Sequence, residues 1–228
     1  MNRRQAILAG TAVAATAVLN ADESKGTKAI KKSYGMTHQI KPLNFDPNTL
    51  RGISKKVIVS HHDNNYAGAV KKLNLIQKQI AGLPTQAHPI ELGALKKEEL
   101  IALNSKLLHE LYFDNLGGDG KPNQQIQKVL VQGFGSYEAW QTDFVKTGKS
   151  LGGGSGWVIL SYIPEENVLI NQIAGGHSAT TATGIPLLVM DMYEHSYHMD
   201  YGVKAAKYID AFMNNINWKE VTARWENI

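Results

Sequence analysis

The apolar pattern of the chain changes its period at the glycine-rich stretch 117–120, and this change constrains the fold more than any other feature. Before that stretch, apolar residues recur at three- and four-residue steps over residues 46–82 and 98–116, which predicts two long amphipathic helices. The first pattern begins after Asp46, where Pro47 suits the first helical position. We therefore expect a helical hairpin in the first half of the chain.

After residue 120 the pattern has two components. Short β-branched runs predict strands, and they cover residues 156–163, 168–173 and 185–192. Helical spacing predicts further helices at residues 123–131, 136–148 and 203–218. The sequence therefore predicts an α+β fold, with a helical N-terminal half and an α/β C-terminal half that contains a small antiparallel sheet of about three strands.

The start of the chain has the layout of a secretory signal. Arg3 and Arg4 precede an apolar or small run at residues 6–19, and Ala21 is a small residue at the expected cleavage position. The run is shorter than the ~20 residues of a membrane-spanning helix, so we expect no membrane insertion of the mature chain. Because the arginine pair resembles a twin-arginine export signal, we expect a periplasmic or secreted protein; a retained lipid-facing anchor is the alternative.

These patterns divide the chain into four parts. We expect a signal peptide over residues 1–21, a flexible lead over 22–44, a helical hairpin domain over 45–120 and an α/β domain over 121–228. The lead is assigned because it mixes Lys, Gly, Ser and Thr and shows little apolar periodicity.

The composition excludes several classes of site. The chain has no cysteine, which excludes disulfides, thiolate metal sites, iron–sulfur clusters and cysteine nucleophiles. A net charge of +4 is too small to indicate binding to nucleic acid. Neither a nucleophile elbow nor a His-Glu-x-x-His zinc motif is present, which argues against a hydrolase.

Three polar residues interrupt or end apolar stretches, where an unpaired imidazole or carboxylate would cost several kcal/mol. His61 lies on the inner face of the first predicted helix, and His109 lies within the second. Asp191 ends the third strand run, and His195 follows four residues later. Each could by itself be a hydrogen-bonded core residue, but three imidazoles and one carboxylate form a ligand set that suits iron, manganese or zinc.

Three stretches of the sequence resemble the iron/manganese superoxide dismutases. They are residues 60–74, residues 154–157 and residues 191–197. The last of these carries the pattern Asp-x-x-Glu-His-x-Tyr and is followed by residues 208–212 and 217–218, which resemble the family as well. This pattern is the most specific of the three, and the resemblance extends over residues 43–225.

The resemblance implies a ligand set and a reaction. In that family a His on each helix of the hairpin and the Asp and His of the last motif bind the metal, and these correspond to His61, His109, Asp191 and His195. One iron or manganese ion per subunit is implied, with superoxide as the substrate and dioxygen and hydrogen peroxide as the products. The ligands do not distinguish the two metals, because surrounding hydrogen bonds tune the redox potential.

The resemblance also implies roles for residues around the ligands. His177 corresponds to a loop position that donates a hydrogen bond to the metal-bound solvent, so it is our candidate catalytic residue, with an exposed loop imidazole as the alternative. Phe113, Trp157 and Tyr193 correspond to an aromatic shell. If His109 is not a ligand, His88 and His177 are the next candidates.

A homodimer is implied as well, with a tetramer left open. In it Glu194 would reach His195 of the partner subunit, and Tyr197 would extend toward the partner's Asn65. The alternative for Glu194 is a solvated helix residue.

Two funnel positions depart from the family pattern, and Phe113 and Tyr193 are milder departures, at places of the aromatic shell that more often hold Trp. Asn65 stands where a histidine is usual in the substrate funnel, and Ala69 stands where the gateway tyrosine is usual. A register shifted by three would place Tyr66 at the gateway, but it would move a ligand position to Ile58 and destroy the metal site. Two other functions therefore stay open: a catalytically weak or inactive metal-binding protein on the same fold, and another metal oxidoreductase that acts on a small oxidant.

Overall fold

The computed structural model describes residues 33–34 and 36–228. The predicted signal peptide lies outside these residues, as does most of the predicted lead. No helix within the described part of the chain is both long enough and apolar enough to cross a membrane.

The first long helix begins later than the sequence pattern indicates. A 3₁₀ turn at Pro47–Thr49 comes first, and helix α1 then covers Lys55–Ser60. The start at residue 46 is therefore wrong, because Gly52 has a φ of 78° and the Ser54 side chain caps the helix by accepting from the Val57 amide.

The helix then continues through a wider turn. A π-helical segment covers His61–Tyr66, and α2 follows directly over Ala67–Gly82. Helix α3 covers Pro89–Asp114 and packs against α2, so the predicted hairpin is confirmed. The predicted start of this helix at residue 98 is wrong, because residues 91–99 carry several Glu and Lys side chains that obscure the apolar pattern. The actual start is capped by the His88 side chain.

The second half contains the predicted helices and sheet. Its helices are α4 (Gln124–Phe134), α5 (Tyr137–Ser150), α6 (His198–Tyr201), α7 (Ala205–Asn214) and α8 (Trp218–Glu226). Its strands are β1 (Trp157–Ile163), β2 (Val168–Ala174) and β3 (Ile185–Asp191), and a 3₁₀ turn covers Glu194–Ser196. The three strands form an antiparallel sheet in the order β2-β1-β3. The α+β prediction is confirmed, whereas the single helix predicted for residues 203–218 is interrupted at Asn215. The four-part division of the chain stays a prediction.

The register of the sheet places one candidate ligand beside an aromatic residue. Trp157 at the start of β1 pairs with Asp191 at the end of β3, and both are fully buried. Asn115, just after α3, accepts a hydrogen bond from the Val189 amide of β3 through its side chain and one from the Asn217 amide through its carbonyl. The end of α3 is thereby bonded to the strand that carries Asp191.

Candidate metal centre

Four side chains from separate parts of the chain meet at one point. His61 comes from the π-helical segment, His109 from α3, Asp191 from the end of β3 and His195 from the following 3₁₀ turn. Their ligand atoms all lie within 4.8 Å of one another. The Asp191 Oδ2 atom is 3.1 Å from His61 Nε2, 3.3 Å from His195 Nε2 and 3.8 Å from His109 Nε2.

The two carboxylate oxygens of Asp191 have different partners: Oδ1 is hydrogen-bonded to a backbone amide, and Oδ2 faces the imidazoles. Its Oδ1 accepts the Tyr193 amide at 2.7 Å, and its backbone carbonyl accepts the Tyr208 hydroxyl at 2.7 Å and the Ser196 hydroxyl at 3.0 Å. Burial by itself would raise the pKa of Asp191, but the imidazoles of His195 and His61 outweigh it and hold that pKa well below its usual range. The carboxylate is therefore charged.

The two deepest imidazoles are neutral and correctly oriented for a metal. His109 donates from Nδ1 to the Ser105 carbonyl at 2.6 Å, which leaves Nε2 as the lone-pair nitrogen. Burial, with a further contribution from His61, lowers the pKa of His109 to about 3. Burial also lowers the pKa of His61, against the opposing effect of Asp191. Neutral imidazole is the form that binds metal ions.

The donor set fits a metal ion for a physical reason. His61 Nδ1, His61 Nε2 and His109 Nε2 are buried and have no hydrogen-bond partner among the described residues. Buried polar atoms of this kind normally have a partner, because leaving them unpaired costs free energy. A cation held by the Nε2 atoms of His61 and His109 and by Asp191 Oδ2 would satisfy both Nε2 atoms, and of the three only His61 Nδ1 would keep no partner among the described residues. The nitrogen and oxygen donors suit iron, manganese or zinc.

Aromatic residues that the sequence assigned to the shell lie against the imidazoles. The Phe113 ring is 5.1 Å from the His61 ring, and the Trp157 ring is 5.1 Å from the His109 ring. Tyr193 stacks on His195 at 5.3 Å between ring centroids. These rings close the site on the sides that face the core.

His177 lies beside the same cluster. Its Nδ1 accepts a hydrogen bond from Trp157 Nε1 at 3.1 Å, and its carbonyl accepts one from the Asn104 side chain at 2.6 Å. Its ring stacks on Tyr193 at 5.1 Å and is 6.2 Å from the ring of His109. His177 is thus a half-buried residue of the site and not a solvated loop imidazole.

A pocket leads from the surface to the ligands. It has a volume of about 240 Å³, and its lining includes His109, His177 and His195. Apart from Ile101, the other residues that line the pocket are small or polar, and they are Asn65, Gly68, Ala69, Lys72, Ala102 and Ser105. The two positions that depart from the family pattern therefore lie on the approach to the site.

Tyr66 does not take the place of a gateway residue. Its side chain is buried, and its hydroxyl donates to Glu110 Oε1 at 2.9 Å and accepts from the Lys41 amide at 2.9 Å. Ile58, the ligand position in the shifted register, belongs to the hydrophobic core. The geometry agrees with the register that keeps His61 as a ligand.

The two residues expected at a dimer interface differ in exposure. Glu194 is exposed, next to His195, whose side chain is 28% exposed. Tyr197 is buried in its own chain, where its ring stacks on Tyr208 at 5.3 Å and its hydroxyl has no partner among the described residues. The predicted reach of Tyr197 toward the partner's Asn65 gains no support from this burial.

Several residues of the site were not identified from the sequence. Tyr208 and Ser196 hold the Asp191 carbonyl, Asn104 anchors the loop of His177, and Lys72 lies on the pocket wall. Tyr208 and Ser196 lie in or near the last motif, but nothing in their spacing indicates a bond to a backbone carbonyl. Asn104 carries no local sequence signal, and Lys72 lies in the resembling stretch 60–74 without any role assigned to it there.

Comparison with known proteins finds one family and many relatives. The family described as "Iron/manganese superoxide dismutases, C-terminal domain" matches residues 122–224. A protein named "Superoxide dismutase [Fe]" from Cupriavidus metallidurans is 51% identical over 191 residues, which are 83% of this chain and 97% of that protein. "Superoxide dismutase [Fe]" from Aquifex aeolicus is 35% identical over 83% of this chain and 92% of its own length. "Superoxide dismutase [Mn] 2" from Haloferax volcanii is 30% identical over 84% of this chain and 96% of its own length.

Proposed function

The chain belongs to the iron/manganese superoxide dismutase family, and we propose that it disproportionates superoxide at one iron or manganese ion held by His61, His109, Asp191 and His195. The observation that supports this most is the unpaired Nε2 atoms of His61 and His109 beside the buried Asp191 carboxylate. When bound, the ion supplies one-electron exchange, so that two superoxide ions and two protons give dioxygen and hydrogen peroxide.

The residues around the ligands fix this geometry. The Tyr193 amide bonds Asp191 Oδ1 and leaves Oδ2 as the oxygen that faces the imidazoles, while Tyr208 and Ser196 hold the backbone carbonyl of Asp191. Ser105 sets the tautomer of His109. Such outer hydrogen bonds orient ligands and adjust their basicity, and their loss typically costs about 10–100-fold in metal affinity or activity.

His177 is the proposed proton-bearing donor of the site. Because Trp157 donates to its Nδ1, the neutral ring carries its proton on Nε2. This N–H can hold the solvent or the substrate oxygen that enters the pocket, and burial lowers the pKa of the ring, which favours the neutral form. The half-buried position between Trp157 and Tyr193 restricts the ring to one orientation.

The identity of the metal is not determined by the ligands. Relatives named for iron and relatives named for manganese both match this chain, which supports either ion. The two alternative functions, a metal-binding protein without turnover and a different oxidoreductase, receive no support from relatives that are named as superoxide dismutases.

The deciding experiment loads the purified protein separately with iron and with manganese, then measures metal per chain and superoxide dismutation. We expect turnover in at least one form. His198→Ala, at an exposed histidine outside the cluster, is the matched control and should behave like the wild type. Full loading without turnover in both forms would favour the metal-binding alternative.

We also propose a homodimer in which Glu194 pairs with His195 of the partner subunit. The exposure of Glu194 and the partial exposure of His195 support this arrangement. Glu194→Ala should shift the protein toward monomer in sedimentation experiments, with Glu226→Ala at the exposed end of α8 as the control. An unchanged sedimentation coefficient would contradict the pairing.

A further inference from the structure

A second charge cluster lies next to the ligands, with a buried carboxylate at its centre and one exposed lysine, Lys41, at its edge. The Glu110 side chain is 8% exposed, and Lys106 Nζ and the Tyr66 hydroxyl both lie 2.9 Å from its Oε1. Its Oε2 lies 2.8 Å from Lys41 Nζ. Both oxygens are therefore satisfied. We call Lys41, Tyr66, Lys106 and Glu110 the Glu110 cluster.

The cluster joins the two helices that carry the deep ligands. Glu110 directly follows His109 in α3, and Tyr66 ends the π-helical segment that begins with His61. The hydrogen bond from Tyr66 to Glu110 is thus a direct connection between the two ligand-bearing segments. π-helical turns are rare in proteins, and those that occur are often found at functional sites. We therefore expect the π-helical backbone at His61 to be supported by contacts with its surroundings.

Lys41 closes the cluster from outside the helices. Its amide donates to the Tyr66 hydroxyl at 2.9 Å, and its carbonyl lies 2.8 Å from Nε2 of His62, the residue after His61. Its ammonium pairs with Glu110. Lys41, which precedes the first helix, is therefore bonded to Tyr66 and His62 at the two ends of the π-helical segment and to Glu110 of α3.

Burial of a charge is not an efficient way to add stability. Removing a carboxylate from water costs several kcal/mol, and well-packed apolar residues of similar size often give equal or greater stability. What the Glu110 cluster adds is direction: a buried, charge-assisted hydrogen bond from Tyr66 to Glu110 that apolar contacts would not supply.

We propose that Tyr66 and Glu110 are positioning residues that set the spacing between the imidazoles of His61 and His109. The proposal rests on the proposed metal centre. It assigns to the cluster a role in holding the ion and not a role in substrate turnover.

The test uses Tyr66→Phe and Glu110→Gln, with Glu99→Gln as the matched control. Glu99 forms an ion pair with Lys96 on the same helix at 2.9 Å, away from the ligands. Each protein is loaded with manganese, and the release of the ion to an excess of chelator is followed together with the visible spectrum of the oxidised form. The thermal midpoint of the metal-free protein is measured in parallel.

We expect Tyr66→Phe and Glu110→Gln to release manganese about 10–100-fold faster than the wild type and to shift the visible spectrum. Glu99→Gln should match the wild type in both. If Tyr66→Phe lowers the thermal midpoint but keeps the wild-type release rate and spectrum, the cluster is only structural and the proposal is overturned. Tyr66→Phe removes a single oxygen, so it decides the question even if Glu110→Gln does not fold.

The positioning role and the proposed function can fail independently of each other. A wild-type protein that binds manganese without dismutating superoxide would contradict the function and leave the positioning role measurable by release rate. A dismutating protein whose release rate is unaffected by both substitutions would contradict the positioning role alone.

Discussion

Trp157 Nε1 donates a hydrogen bond to Nδ1 of His177 at 3.1 Å, and this bond decides which nitrogen of His177 carries the proton. An imidazole nitrogen that accepts cannot also be protonated in the neutral ring, so the remaining N–H is at Nε2. Trp157 is fully buried at the start of β1 and pairs with Asp191, so the donor is fixed to the same strands as a ligand.

His177→Ala should keep its metal and lose turnover. The lost hydrogen bond is charge-assisted in one protonation state of the bound solvent and is worth about 1.5–3 kcal/mol, which corresponds to roughly 10–100-fold in rate. Metal per chain, dismutation rate and the visible spectrum of the oxidised form measure the effect. His177→Gln, which can still donate from its side-chain amide, should recover part of the activity. Wild-type dismutation together with an unchanged spectrum in His177→Ala would show that His177 is only a loop residue.

Substitution of any one ligand by alanine should remove most of the bound metal. In each of His61→Ala, His109→Ala, Asp191→Ala and His195→Ala, the remaining groups face a mostly buried environment without a complete donor set. Metal analysis of the purified proteins is the measurement. Full occupancy in His109→Ala would refute the second ligand. His177 would then be the better substitute, because His88 lies at the other end of α3, about 30 Å from His109 along the helix.

Stability should fall at alkaline pH because of Tyr66. Burial raises the pKa of Tyr66 from 10.0 to about 12. The unfolded chain therefore loses the phenol proton above pH 10, while the folded chain keeps it until about pH 12, and unfolding becomes more favourable in this window. Between pH 9 and pH 11 this group should lower the free energy of unfolding by about 1.4 kcal/mol.

Chemical denaturation of the metal-free protein at both pH values measures this effect. Tyr66→Phe should lose about 1.4 kcal/mol less than the wild type over the same interval. Tyr162→Phe, at a partly exposed tyrosine of β1, is the control and should follow the wild type. An equal loss in wild type and Tyr66→Phe would contradict the assignment.

Replacement of Arg3 and Arg4 by lysine should block export if the twin-arginine proposal is right. This route depends on the arginine pair, whereas ordinary secretion requires only a basic start before the apolar run. Cell fractionation with detection of the processed chain provides the measurement. Unchanged recovery from the periplasm would exclude the twin-arginine route and leave ordinary secretion open.

Three of the candidate ligands, His61, His109 and Asp191, stand out because they interrupt or end an apolar pattern, whereas His195 is added by its spacing from Asp191 and by the family resemblance. His109 interrupts an apolar helix face and Asp191 ends an apolar strand, so their burial follows from the elements that carry them. The sheet could be predicted for the same reason, since β-branched runs flank a short polar turn.

The remaining features depend on contacts that no periodicity encodes. The start of α1 is set by Gly52 and by the Ser54 cap, which outweighed the favourable Pro47 upstream. The hydrogen bond from Tyr66 to Glu110 joins residues far apart in sequence. The sequence pattern around Tyr66 is the same whether its side chain lines a pocket or lies in the core. Such contacts follow from tertiary packing rather than from local propensity.

The two hydrogen bonds of Asn115 have a mechanical consequence. Through them the end of α3 is bonded to β3 and to the start of α8, so His109 and Asp191 move as parts of one frame. A hinge opening between the helical half and the α/β half would break both bonds at a fully buried residue. Opening the two halves would therefore cost two buried hydrogen bonds, whereas the pocket lined by His109, His177 and His195 gives access to the ligands without such a motion.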